Sequence, residues 1–162
     1  YSITKKSLWA LDVLCELGFR YDSSIFPIRH DVYGIPDAPK RPGVIRAPSG
    51  GQIVEFPMST ARFGGISVPV CGGGYFRLLP YWFTRTGLRS INRRDARPFV
   101  FYLHPWEVDT GQPVIEAGWK SKFRHYTNLG RTEERLRKLV GEFRFAPVRR
   151  VLEDLDLLPA AA

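Results

Sequence analysis

The run Phe99-Val100-Phe101-Tyr102-Leu103, preceded by Pro98 and followed by His104-Pro105-Trp106-Glu107, constrains this chain more than any other stretch. Five consecutive apolar residues, rich in aromatic and β-branched types, predict a strand buried on both faces. Pro105 has no N–H to give to a ladder, so the strand stops there and His104 stands at its lip. In parallel α/β folds the carboxyl ends of strands are where active sites form. His104 is therefore the first candidate for chemistry, since imidazole is the side chain suited to proton transfer near neutrality. The structural alternative is a histidine at the edge of the core, bonded to backbone.

The 162 residues, 44% of them hydrophobic, can bury a core and are expected to form a single domain over 1–162. No run of about 18 apolar residues exists, so no helical membrane span is expected. The chain starts at Tyr1 without Met, as a truncated or processed product would. Cys15 and Cys71 have no metal-type spacing and read as core or loop thiols rather than a disulfide framework. A formal charge of +8 invites a nucleic-acid reading. The arginines, however, are spread over 29–46, 85–97 and 131–150, the last interleaved with acids, and no aromatic-basic motif stands out. A solvated basic surface, or one that meets an anionic polymer, is the better account, and no nucleic-acid partner is expected.

Along the chain, Ser2 or Thr4 can cap a first helix whose Leu8, Leu11, Leu14, Cys15 and Leu17 share a face, with Gly18 ending it. Residues 19–27 read as a short strand running into a loop, followed by a long Pro/Gly-rich loop over 27–51 with room for a hairpin, holding His30, Asp31 and Tyr33. Residues 52–58 predict a second strand, with Glu55 either at a solvent edge or turned into a site. Gly72-Gly73-Gly74 matches no phosphate-binding fingerprint and reads as a tight loop allowing close backbone approach. A helix is expected from Leu79-Pro80 to Ile91 despite Gly87, and another opening at Thr132 with Leu136, Leu139, Val140 and Phe143 as its stripe. A final short strand over 145–148 and a loose helix over 151–158 complete an α/β pattern.

Several of these stretches, in this order, resemble one family. Residues 18–27, the segment Tyr33-Gly34-Ile35-Pro36-Asp37-Ala38-Pro39, residues 72–81, the run Phe101 to Glu107, and Phe123-Arg124-His125-Tyr126 through Leu136 are similar to the polysaccharide deacetylases of the NodB-homology group. These are carbohydrate esterases of family four, and the subgroup most resembled is encoded with exopolysaccharide and exosortase clusters. The resemblance implies the C-terminal part of a distorted (β/α) barrel, incomplete in this chain. It also implies removal of N-acetyl groups from amino-sugar polymers with a divalent metal, commonly zinc, and a cytoplasmic location.

Within the resemblance, His104 takes the place of the acid that protonates the leaving amine, and Asp22 that of the carboxylate that orients it. Asp22 is followed by Ser23 where many members have Trp. Tyr102 stands where the family has the Leu of its Leu-x-His, which lines the acetyl-methyl pocket, and Leu103 takes the next place. Tyr75 and Trp106 are the aromatic residues expected to stack on sugar rings. The metal ligands are missing: His30, His104 and His125 are the only histidines and form no His-x-x-x-His. Ligands and base are thus expected in an N-terminal half of the barrel, the implied polypeptide partner. Without a metal nothing lowers the pKa of the attacking water from about 15.7 toward 7, so this chain alone is expected to be inactive. The competing reading is a non-catalytic polysaccharide-binding module on the same fold.

Overall fold

The computed structural model describes residues 2–30, 33–116 and 118–158. Helix α1 spans Trp9–Glu16, starting later than the sequence predicts because Thr4 and Ser7 close a turn of their own ahead of it. Leu8, Leu11, Leu14 and Cys15 pack with Ile3, Ile25, Ala47 and Ile53, whereas Leu17 is exposed. Gly18, at φ +76°, ends the helix: its N–H goes to Cys15 O and that of Phe19 to Leu14 O, the pairing of a left-handed C-terminal cap.

The short strand expected within 19–27 is β1, Tyr21–Asp22. It lies parallel to β3, Gln52–Glu55, with Tyr21 opposite Val54 and Asp22 opposite Glu55. The ladder stops there because the Glu55 side chain takes the Ile25 N–H at 2.9 Å and the Ser23 hydroxyl bonds Phe56 O at 2.7 Å. The 27–51 loop contains β2, Gly43–Arg46, which turns at Ala47–Gly51 to pair antiparallel with β3, giving the order β1-β3-β2.

A second hairpin, absent from the sequence expectation, joins β4 (Thr60–Phe63) to β5 (Ile66–Pro69). Gly64 and Gly65, both at positive φ, form its two-residue turn. A short helix α2, Gly73–Leu78, is broken by Pro80 before α3, Tyr81–Arg93, which packs on this hairpin. Gly87 makes that packing possible, since a Cβ there would lie 2.8 Å from Val70 Cγ1 and 3.1 Å from Ala61 Cβ.

Residues 99–103 are extended but form no regular strand; a single parallel bridge pairs Tyr102 with Gly72. Their neighbours are a turn and a side chain: Tyr102 N bonds Cys71 O at 2.8 Å, and Val100 N bonds Ser59 Oγ at 2.9 Å. Both sides of the segment are packed, but all five residues are half-buried rather than buried as expected. Phe99, Phe101 and Leu103 join the core of α3, while Val100 and Tyr102 face other apolar clusters.

Helices α4 (Trp119–Tyr126), α5 (Leu129–Glu142) and α6 (Val148–Asp154) follow. Helix α5 opens a turn before Thr132, because Asn128 takes the left-handed conformation and the buried Thr132 hydroxyl bonds back to Asn128 O. Leu136, Leu139 and Phe143 form its inner stripe, and Val140 is exposed. The strand expected at 145–148 is not formed; α6 begins there, with Pro147 as its N-cap. Among the described residues, no helix is long and apolar enough to cross a membrane.

Candidate functional site

His104 leaves the extended segment and becomes the N-cap of a 3₁₀ turn, Pro105–Glu107. Proline at the first position presets φ, and a residue three beyond the cap can reach back to it. Glu107 does so: its Oε2 accepts the His104 backbone N–H at 3.0 Å and lies 3.3 Å from Nδ1 of the ring. The His104 side chain is 54% exposed, whereas that of Glu107 is fully buried.

Glu107 can be buried because Arg77, projecting from α2 and 2% exposed, pairs with it through Nε at 2.8 Å from Oε1. A buried charge is costly unless paired and hydrogen-bonded, and both conditions hold here. Arg77 also donates to His125 O at 2.8 Å and Thr127 O at 3.1 Å, tying α2 to the end of α4. Its guanidinium sits 5.0 Å from the Trp106 ring centre. Trp106 stacks on His125 at 4.0 Å and on His104 at 5.6 Å, and Gln112 bridges His125 Nε2 to Trp106 O.

The exposed side of His104 lines a cleft of about 470 Å³ with Ser23, Ser24, Phe26, Tyr33, Met58 and Tyr102. Tyr33 and Tyr102 also line an adjoining cavity of about 310 Å³ with His30, Tyr75 and Leu78. Burial pushes the Tyr102 hydroxyl up and so keeps it protonated. Gly72 and Gly73, at φ +115° and +59°, bring backbone against Tyr102, the close approach expected of the glycine run.

The sequence candidates are distributed as follows. His104, Tyr102 and Trp106 come together, with Trp106 stacked behind His104, and Tyr75 belongs to the adjoining cavity. Leu103 points the other way, into the core of α3, because neighbours along an extended segment alternate faces. Asp22 does not supply the carboxylate hydrogen-bonded to His104; Glu107 does. The Asp22 carboxylate accepts from Ser24 and faces Glu55 across the β1–β3 register. Glu55 is buried rather than at a solvent edge. Asp31 lies outside the described residues, and His30 stacks on Tyr33 at 3.9 Å.

Arg77, His125 and Gln112 are residues to which sequence reasoning gave no role, and Glu107 was placed with His104 at the end of the run without one. The signal for Glu107 was the His-Pro-x-Glu spacing, a proline-started turn with an acid three residues past its cap; nothing local pointed to Arg77. Among the described residues no three His, Cys, Asp or Glu side chains gather in a group able to hold a metal ion, so these residues do not fit the divalent cation that the resemblance implies. Cys15 and Cys71 are both free, and burial pushes the Cys71 thiol up to about 12, leaving it unreactive.

A family model described as "Domain of unknown function (DUF3473)" matches residues 23–153, and the chain belongs to that family. No curated protein and no solved structure matches it.

Proposed function

We propose that this chain is the C-terminal portion of a polysaccharide deacetylase of exopolysaccharide synthesis, with His104 as the acid that protonates the departing amino sugar. The observation that carries this reading is a half-exposed imidazole, backed by a buried carboxylate, at the rim of a cleft. The cleft walls combine the hydroxyls of Ser23 and Ser24 with the rings of Phe26, Tyr33 and Tyr102, a mixture suited to sugar hydroxyls and sugar faces. As the amide C–N bond breaks, the His104 imidazolium gives its Nε2 proton to the nitrogen, leaving a free amine and a neutral ring. A positioned acid contributes typically about 10²–10⁴-fold. Activation of the attacking water is assigned to residues outside this chain, in the partner half of the barrel, and this polypeptide alone is inactive.

The test uses a longer polypeptide that includes the segment preceding Tyr1 and releases acetate from N-acetylated amino-sugar oligomers. His104→Ala is expected to lower kcat by roughly 10²–10⁴-fold with metal content retained. An unchanged rate would sink the assignment. A second reading, a non-catalytic polysaccharide-binding module, draws on the same aromatic cleft. It predicts that the longer polypeptide binds the polymer, carries no metal and releases no acetate.

A further inference from the structure

We propose that Glu107, clamped by Arg77, is the positioning residue that holds the His104 ring by its Nδ1–H and leaves Nε2 as the nitrogen open to the cleft. The argument begins at Arg77, whose guanidinium stays charged in any protein environment and is 2% exposed. Its Nε–H donates to Glu107 Oε1 at 2.8 Å, so the buried Glu107 is held as a carboxylate, which can only accept. Its second oxygen, Oε2, then faces two groups of His104, the backbone N–H at 3.0 Å and Nδ1 at 3.3 Å. An acceptor-only oxygen makes Nδ1 the donor. The backbone N–H of Glu107, which closes the turn on His104 O at 2.9 Å and also reaches the His104 side chain, competes for Nδ1, but a neutral donor shared between two acceptors is outweighed by the charged carboxylate. The neutral ring therefore carries its proton on Nδ1, and the second proton of the imidazolium sits on Nε2. Trp106, stacked at 5.6 Å, and Tyr102, edge-on at 5.5 Å, confine the ring from two further directions. This turns Arg77 into a second support acting through Glu107, and it connects the glycine turn before α2 to the His104 loop.

The geometry can be tested without any assay, because imidazole ¹⁵N shifts report which nitrogen is protonated in the neutral ring. In ¹⁵N-histidine-labelled chain, His104 is expected in the Nδ1–H form, with His30 and His125 as internal references. In Glu107→Gln, with Arg77 keeping the amide oxygen, the amide NH₂ can accept neither from Nδ1–H nor from the His104 backbone N–H, so the support for the Nδ1–H form is lost and His104 is expected to switch to the Nε2–H form. Either an Nε2–H ring in the wild-type chain or an unswitched ring in Glu107→Gln overturns the proposal; if the variant does not fold, the wild-type spectrum decides. The catalytic consequence rests on the deacetylase reading: in the longer polypeptide, Glu107→Gln is expected to lower kcat by about 10–100-fold, as loss of an orienting partner does, with little change in KM. A tautomer switch with unchanged acetate release would uphold the positioning and overturn the acid assignment, so the two failures are told apart.

Discussion

Glu55 is 2% exposed, hydrogen-bonded to Ile25 N through one oxygen and opposite Asp22 across the β1–β3 register. Burial pushes its carboxyl up to about 8, and the nearby Asp22 charge adds to the rise. The folded chain therefore holds a proton that the unfolded chain releases near the ordinary carboxyl range. The stability this provides is complete below that range and is lost as pH rises toward about 8. Urea unfolding should show stability falling by about 1.4 kcal/mol per pH unit inside that window, and Glu55→Gln should flatten the slope. Gly72 is the second sensitive residue. A Cβ there would lie 1.9 Å from Tyr102 O at φ +115°, so Gly72→Ala is expected to cost at least about 2 kcal/mol in thermal unfolding.

At the scale of elements, two helix glycines make opposite predictions. Alanine favours a helix interior by roughly 0.5–1 kcal/mol over glycine. At Gly141, near the end of α5, nothing lies within 4 Å of the added methyl, so Gly141→Ala should raise the melting temperature. At Gly87 the methyl would press on Ala61 of β4 and on Val70 just past β5, and overpacking of this kind costs about 1–3 kcal/mol. Gly87→Ala should therefore lower it. Differential scanning calorimetry of the two variants separates a glycine kept for packing from one that is merely tolerated.

At the scale of the whole molecule, the first helix and the segment after it carry apolar groups that the described core does not cover. Trp9, Val13 and Leu17 repeat every four residues along α1 and its C-cap and are exposed, Phe19 and Tyr21 just after it are exposed too, and β1 is an outer strand of its sheet. Exposed apolar strips and open strand edges favour association. In the deacetylase reading these groups are available to the partner half of the barrel. The isolated chain is expected to self-associate with concentration in sedimentation velocity. The pair Trp9→Lys and Leu17→Lys should reduce that association while changing unfolding free energy by no more than about 0.5 kcal/mol each, as surface changes usually do.

Local chemistry in the sequence was enough to place α1 with its Gly18 stop, the body of α3, the inner stripe of α5, and His104 at the end of an extended apolar run. Each follows from periodicity, a proline or a glycine acting within a few residues of itself. The Gly64-Gly65 turn was equally local, a two-glycine hairpin signal that went unread. What tertiary structure alone decided is which groups meet. Residues 99–103 are extended without a ladder because their neighbours proved to be Cys71 and Ser59 rather than a second strand. The carboxylate beside His104 is Glu107 rather than Asp22 because Arg77, thirty residues earlier, enters the same interior and makes a charge there tolerable. A side chain's propensity is carried by its neighbours in the chain, but the partner that stabilises a buried charge is chosen by the packing.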